Sequence, residues 1–177
     1  MDMVVGEPLA IDLINTVTSE GDLTTSAEMF QRWLTAEEGR LTRPDVPDLA
    51  AIRTLRGHVA TAVASARRGA EPHAEALDAL NSAMRAAPAY RSLAWDGGAL
   101  TTSTRRVGDE NARLLAELAE AACELLTNPS VTGIRSCEGP DCVLIFLPAH
   151  PRRRWCSPNL CGNRVRVSRY YQRHKES

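Results

Sequence analysis

Apolar residues in the first part of the chain recur at the three- and four-residue spacing of amphipathic helices. This spacing predicts a first helix over about residues 8–17. A second helix should begin after Ser26, whose hydroxyl suits an N-cap, and stop at Gly39. The apolar positions of the two helices are Leu9, Leu13, Ile14, Val17, Met29, Phe30, Trp33 and Leu34.

The same period continues through the next stretch of sequence. It predicts a third helix over about residues 47–68, which Gly69 ends. Pro72 should open a fourth helix that ends near Pro88. The apolar stripes of these helices are Leu49, Ile52, Leu55, Val59, Val63, Leu77, Leu80 and Met84.

The pattern changes after Pro88. Aromatic and aliphatic residues precede the turn sequence Asp96-Gly97-Gly98, and a Thr-rich run follows it, so we expect a β-hairpin from Tyr90 to Thr104. A fifth helix should start at Asp109 and end before Pro129. Its buried positions are Leu114, Leu115, Leu118, Ala122 and Leu125.

The last part of the chain predicts a small separate module. Residues 134–135 and 143–147 have the composition of short strands, and Ser157-Pro158 fits the start of a final helix over about residues 158–174. The fold class is therefore α+β and mainly helical. We place a helical domain with a β-hairpin at residues 1–128 and a small zinc finger of two short strands and a basic helix at residues 129–177.

Four cysteines form two matched pairs in this module. Cys137 and Cys142 make one C-x4-C hook, Cys156 and Cys161 make another, and thirteen residues separate the hooks. Four thiolates at such spacing suit a structural Zn²⁺ ion and fill its tetrahedron, which leaves no position for a catalytic water. An iron–sulfur or other metal site, disulfides and unliganded thiols are the alternatives. Cys123 lies in a helical pattern and reads as a small core residue.

Charge is distributed unevenly along the chain. Residues 1–151 carry 13 basic and 21 acidic side chains and residues 152–177 carry eight and one, so net charges of −8 and +7 sum to −1. A basic module on an acidic body points to an anionic partner, of which nucleic acid is the usual one. The alternative is that these cations pair with the acidic domain or only solubilise a tail. The cations are Arg152, Arg153, Arg154, Arg164, Arg166, Arg169, Arg173 and Lys175.

The predicted last helix would place several of these cations on one side. Arg166, Arg169 and Arg173 share one helical face, which would present them to DNA. Gly162 would allow close backbone approach beside the metal. Asn163 would either orient a cysteine sulfur by a hydrogen bond or read adenine.

A second candidate site lies in the first helices. Asp12, Asn15 and Thr16 cluster on or near one helix and, with Trp33, could line a polar pocket for a small-molecule effector. The alternative is that Asn15 and Thr16 hydrogen-bond the hairpin and fix the domain topology. A homodimer is also expected, because one short finger offers few base contacts.

Other function classes find little support in the sequence. The four histidines are scattered, and no nucleophile-elbow, dinucleotide-binding or P-loop motif occurs, so we do not expect an enzyme. A non-enzymatic protein-interaction or RNA-binding module with structural zinc remains the alternative to DNA binding. No apolar run is long enough for a membrane span and no signal peptide is visible, which predicts a cytoplasmic protein without a membrane partner.

The run from Trp155 to Arg164 closely resembles the CGNR zinc finger, named for its Cys-Gly-Asn-Arg tetrad. The hook from Cys137 to Cys142 and the basic run from Arg164 to Tyr171 are similar to the same finger. In that family the finger follows an N-terminal domain called ABATE, described as a stress-induced transcription regulator, and residues 11–16 resemble the opening signature of that domain. The resemblance implies a zinc-binding, DNA-binding bacterial regulator.

Overall fold

Five α-helices and three two-stranded ladders make up the part of the chain that the computed structural model describes, which is residues 3–37, 39 and 41–167. The helices are α1 (Leu9–Ile14), α2 (Ala27–Ala36), α3 (Leu49–Ala66), α4 (Ala74–Ala86) and α5 (Glu110–Thr127). The strands are β1 (Val17–Thr18), β2 (Gly21–Asp22), β3 (Ala89–Asp96), β4 (Ala99–Arg106), β5 (Arg135–Ser136) and β6 (Ile145–Phe146). Short helical turns occur at Leu23–Thr25, Pro129–Gly133 and Pro158–Gly162.

Side-chain caps fix the start of the longer helices. Ser26 Oγ accepts from the backbone N–H of Met29 at the start of α2, as the sequence predicts. Asp48 and Asp109 cap α3 and α5 in the same way. Helix α4 begins at Ala74, after Pro72, without a side-chain cap from the preceding His73.

Helix α1 is shorter than the predicted span of 8–17. It ends at Ile14, where the backbone N–H of Asn15 closes the last turn on the Ile11 carbonyl, and the chain then enters the β1–β2 ladder. Val17 consequently lies in a strand and is 40% exposed, so its predicted place in the helical stripe was wrong.

The main core fills the space between α1, α2, α3 and α5. Phe30 and Trp33 stack at its centre with ring centroids 5.2 Å apart, and Val59, Leu114 and Leu118 are fully buried beside them. Two predicted core residues lie elsewhere: Cys123 and Leu77 are exposed on α5 and α4. Each occupies the outer edge of its helix, where a stripe inferred from spacing alone is ambiguous.

The predicted hairpin is present and longer than expected. Strands β3 and β4 pair antiparallel from Ala89↔Arg106 to Asp96↔Ala99, and Gly97 and Gly98 form the turn with φ of 55° and 148°. Glycine tolerates these positive φ values without steric cost. Arg106 anchors the base by donating to the Ala87 carbonyl and pairing with Glu117 and Glu120.

The C-terminal module has a small core of its own. Strands β5 and β6 pair Arg135 with Phe146 and Ser136 with Ile145, a shorter ladder than the predicted strands. Its buried residues are Cys137, Leu144, Phe146, Cys156 and Cys161, with Val4 and Trp155 packed against them. The final helix begins at Pro158, as predicted, and is followed to residue 167; its predicted continuation to 174 lies outside the described residues.

The boundary at residues 128 and 129 stays a prediction. Helix α5 ends at Thr127, and Asn128 caps the turn that leads into the module. Within the described ranges, no helix has the length and apolar character needed to cross a membrane.

Candidate metal centre and the basic surface beside it

The first cysteine hook follows directly from β5. Cys137 pairs with Leu144 through its backbone N–H, and the chain then turns so that the N–H of Cys142 bonds the Gly139 carbonyl at 3.2 Å. Asp141 adopts a left-handed φ of 58° just before Cys142. Aspartate tolerates this conformation better than most residues, so the hook can turn its second sulfur back toward the first.

The second hook is built on the start of the last helix. Ser157 Oγ accepts from the N–H of Leu160 at 3.3 Å, and Pro158 occupies the first turn. The N–H of Gly162 bonds the Ser157 carbonyl at 3.0 Å. This turn carries Cys161 toward Cys156 and both toward the first hook.

The four sulfurs converge on one point. Their ligand atoms all lie within 4.8 Å of one another, with Cys142 Sγ 3.9 Å and Cys161 Sγ 3.6 Å from Cys156 Sγ. Zn–S bonds of about 2.3 Å at tetrahedral angles separate sulfurs by about 3.8 Å. The five cysteines are free thiols, and these separations far exceed an S–S bond. The donors therefore fit a structural four-cysteine zinc site, as the sequence predicts.

Backbone N–H groups turn toward one sulfur in particular. Cys137 Sγ accepts from the N–H of Cys156 at 3.3 Å and from that of Gly139 at 3.4 Å. Burial opposes ionisation of this thiol, but the two N–H groups together with the Cys142 and Cys156 thiols outweigh it and lower its pKa. Burial raises the pKa of Cys161 to about 11 and also raises the pKa of Cys156. Zinc must displace protons from these thiols, so its affinity rises with pH.

Two glycines let the hooks approach each other. A Cβ on Gly139 would lie 3.0 Å from Cys161 Cβ and 3.1 Å from Cys161 Sγ, closer than side-chain atoms normally pack. A Cβ on Gly162 would lie 3.5 Å from the Trp155 ring, an ordinary contact. A close approach was predicted for Gly162, but the tighter contact is at Gly139.

Asn163 does not serve the cysteines in the described structure. Its side chain is exposed and bonds no other described residue, while the sulfur bonds come from backbone N–H groups. The backbone N–H groups of Gly139 and Cys156 take the role in orienting a sulfur that was expected of Asn163. Asn163 remains available to a partner.

The predicted nucleic-acid set divides into different environments. Arg152, Arg164 and Arg166 are exposed, and with described residues Arg166 makes only a long bond of 3.4 Å to the Pro158 carbonyl. Arg154 is exposed and pairs with Glu138 at 2.5 Å. Arg169, Arg173 and Lys175, and with them the predicted three-arginine face, lie outside the described residues.

Arg153 is half-buried, and its internal partners set it apart from this exposed surface. Its guanidinium donates to Glu7 Oε1 at 2.5 Å and to the Cys156 carbonyl at 2.5 Å, and it lies 4.5 Å above the Phe146 ring. Glu7 also accepts from the N–H of Leu147 at 2.9 Å. Arg153 therefore matches the alternative in which a cation of the finger pairs with the acidic domain. It links Glu7 to the backbone of the zinc ligand Cys156.

Trp155 packs into the finger. It lies against the cysteine cluster and Gly162 and is half-buried, with the Arg154 guanidinium 5.8 Å from its ring. It is therefore poorly placed to stack an unpaired base. Tyr170 and Tyr171, which also belong to the module, lie outside the described residues.

The four residues predicted to line an effector pocket have internal partners or pack in the core. Asn15 accepts from the N–H of Ile145 and donates to its carbonyl, at 3.0 and 2.9 Å. Trp33 is 1% exposed in the core, and its Nε1 has no hydrogen-bond partner in the described structure. The alternative in which Asn15 fixes the topology matches this geometry, although its partner is β6 rather than the β3–β4 hairpin.

Asp12 and Thr16 belong to two further buried networks. Asp12 accepts from the N–H groups of Gly6 and Glu7, and burial raises its pKa to about 7. Thr16 accepts from Arg56, which also pairs with Asp22 at 2.6 Å. The bond from Arg56 holds the pKa of Asp22 well below its usual range.

Comparison with known families agrees with this architecture. Residues 7–129 match the family model ABATE, described as "Putative stress-induced transcription regulator". The chain belongs to the ABATE family. Residues 134–174 match the CGNR zinc finger, which contains all four clustered cysteines. No curated protein matches the chain.

Sequence patterns did not reveal the contacts that join the ABATE domain to the finger. Glu7 and Arg153 are 146 residues apart, and Asn15 and Ile145 are 130 apart. A lone Glu before the first helix carries no local signal for a distant partner. The sequence singled out Asn15 through the pocket hypothesis and the ABATE signature, but neither indicated its partner in β6.

Proposed function

We propose that this ABATE protein is a transcription regulator whose zinc-ordered finger binds DNA through exposed arginines. The observation that carries the proposal is the concentration of cations in the last part of the sequence, which includes the second cysteine hook: residues 152–177 have a net charge of +7, against −8 for the rest of the chain. Arginine suits this role because its planar fork matches phosphate oxygens and the guanine edge.

The described arginines support phosphate contact close to the metal. Arg164 and Arg166 follow Cys161 by three and five residues, and both are exposed. The metal fixes the start of this helix, so the backbone that carries them is held rigid. Arg152 lies in the loop before Trp155 and adds a third exposed cation.

The acidic body opposes contact with DNA elsewhere on the molecule, which restricts binding to the finger. A dimer would double the number of phosphate contacts and give the short finger a longer site. The alternatives of RNA or a protein partner are less well supported, because Trp155 packs inside the finger and is not a free stacking platform.

A regulator that responds to a small molecule also needs a site that binds this effector. A cleft of about 860 Å³ lies between the hairpin and α5, and its lining includes Tyr90, Arg105, Arg113 and Leu147. Three carboxylates, Glu117, Glu120 and Glu124, also line it, and the first two pair with Arg106. Arg113 Nε is buried there without a hydrogen-bond partner in the described structure. We place the effector in this cleft, as a small anion, rather than at Asp12 and its neighbours. Leu147 connects the cleft to Glu7 and hence to Arg153.

A thermal-shift titration with benzoate as the probe anion tests this placement. Benzoate should raise the unfolding temperature of the wild type, and Arg113→Gln should remove most of that rise. An equal rise in both proteins, or no rise in the wild type, would contradict the effector site without affecting the DNA proposal.

The DNA proposal is tested by matched arginine variants. Arg164→Ala/Arg166→Ala removes two exposed cations from the finger. The control, Arg68→Ala/Arg85→Ala, removes two exposed cations from the body, one just after α3 and one in α4. With fluorescent duplex at constant salt and equal zinc content, the finger variant should bind about tenfold or more weakly, and the control variant should bind as well as the wild type. Equal binding by all three proteins would remove the finger from the interface.

A further inference from the structure

The β3–β4 hairpin exposes a continuous apolar face. Leu93, Trp95 and Leu100 are 74%, 69% and 70% exposed. In the register, Trp95 lies directly opposite Leu100, and Leu93 opposite Thr102, two residues along the same face. The three large side chains therefore form one patch near the tip, while the other face of the tip carries Ala94 and Thr101.

This arrangement is unfavourable for a monomer in water. A two-stranded hairpin has little stability unless a third strand or another element covers one face. Neither β3 nor β4 pairs with a further strand among the described residues, so both edges present unpaired backbone groups. Exposed apolar side chains clustered in this way usually mark an interaction surface.

We propose that this face is the dimer interface, on which the hairpin of a second copy of the chain packs. The inference does not depend on DNA binding. It identifies the surface through which the protein associates, whatever the finger contacts.

The chemistry of the face is self-complementary. Arg91 lies on it between the apolar patch and the body, and its Nε donates to Thr102 Oγ1 at 3.1 Å, which holds the guanidinium across the strands. If two hairpins cross antiparallel about Leu93, Trp95 of each copy lies over Arg91 of the other. Tryptophan over a guanidinium is a favourable cation–π pair, and a single two-fold axis forms it twice.

The available area suits a modest dimer. The three side chains would remove roughly 400 Å² per copy from water, taking about 150–200 Å² for the tryptophan and less for each leucine. Two copies with the flanking Arg91 and Thr104 reach about 1,000–1,200 Å² in total, the low end of specific interfaces. We therefore expect weak association, with a dissociation constant of roughly micromolar size.

Sedimentation velocity over about 1–200 µM protein tests the interface. Trp95→Lys/Leu100→Lys introduces two charges into the apolar face, and Ala94→Lys/Thr101→Lys places the same charges at the neighbouring cross-strand pair on the other face. We expect the wild type and the control to dimerise and the first variant to be monomeric throughout. Circular dichroism and zinc content establish that both variants fold.

Tryptophan fluorescence gives a second readout. Trp33 is buried and Trp155 half-buried, so Trp95 is the most exposed of the three tryptophans. Its emission should shift to shorter wavelength as the wild type dimerises. A wild type that remains monomeric at 200 µM would overturn the proposal and leave the face for a different protein. A dimer that neither variant weakens, or that both weaken equally, would overturn it as well.

Discussion

Gly139 controls how closely the two cysteine hooks approach. Its backbone N–H donates to Cys137 Sγ, and the position of its missing Cβ is only 3.0 Å from Cys161 Cβ. Gly139→Ala should therefore push Cys161 away from the other sulfurs and weaken zinc binding by about 10–100-fold, the range seen when groups that orient metal ligands are lost. Competition with a chromophoric chelator measures the change.

Gly162→Ala is the matched comparison, because its Cβ would meet the Trp155 ring at an ordinary 3.5 Å. It should retain zinc far better than Gly139→Ala. Equal zinc affinities in Gly139→Ala and the wild type would mean that the hooks have room to separate.

Asp12 makes a pH-dependent contribution to stability. Burial, aided by Glu37 and Glu7, raises its pKa to about 7 against the two N–H bonds that favour the carboxylate. Its unfolded pKa is about 4, so the folded state binds the proton more tightly and the contribution of Asp12 falls as pH rises from about 4 to 7. The decrease is at most about 4 kcal/mol.

Comparison with Asp12→Asn isolates this effect. Both proteins share the titrating zinc ligands, so the difference between their free energies of unfolding reports on residue 12. Denaturant unfolding at several pH values should show the wild type losing stability relative to the variant between about pH 4 and 7. A difference that does not change with pH would show that the carboxylate is ionised throughout.

At the scale of elements, strand β6 is held by a side chain from the other domain. Asn15 bonds both the N–H and the carbonyl of Ile145, as a neighbouring strand would. Asn15→Asp keeps an acceptor for the N–H but places a second carboxylate oxygen against the carbonyl. It should cost roughly 1–3 kcal/mol in urea unfolding, and Asn15→Ala a similar amount.

Asn128→Asp serves as the control for this change. Asn128 caps a surface turn through its Oδ1, which an aspartate can also do. Wild-type stability in Asn15→Asp would show that β6 does not need the interdomain bonds.

The longer elements were predictable because each has a local physical signal. Apolar spacing and the caps at Ser26 and Asp109 indicated α2 and α5, and Gly97-Gly98 indicated the hairpin turn. Strands β1 and β2 have only two residues each, too few to show an alternating apolar pattern. The predicted first helix was therefore wrongly extended into β1. The zinc ligands could be predicted from the sequence because paired thiols at fixed spacing have few other structural uses.

The environment of the arginines was not predictable in the same way. Arg152, Arg153 and Arg154 are consecutive, yet their environments differ. Arg152 is exposed without a carboxylate partner in the described structure, Arg153 is half-buried against Glu7, and Arg154 pairs with Glu138 on the surface. Charge counts cannot distinguish these positions, since the distinction depends on Glu7 and Phe146, which are distant in sequence. Among the described residues of the predicted set, Arg152, Arg164 and Arg166 are the ones proposed to contact DNA.

At the scale of the whole molecule, polar bonds join the ABATE domain to the finger. Glu7 bonds Arg153 and Leu147, Asn15 bonds Ile145, and Arg67 of the end of α3 donates to the Ile134 carbonyl at 3.1 Å. Loss of zinc should therefore release contacts with the body as well as the finger's own core. Conversely, a ligand or partner that moves the body can change how the finger presents its arginines.

The central claim is that zinc orders a finger that binds DNA through its arginines. It is tested most directly by titrating fluorescent duplex at several salt concentrations with zinc-loaded and with chelator-stripped protein. If four cations neutralise phosphates, the logarithm of the affinity should fall with the logarithm of salt at a slope of roughly −3.6 for the zinc-loaded protein, and the stripped protein should bind far more weakly. A slope near zero, or equal binding without zinc, would contradict the account.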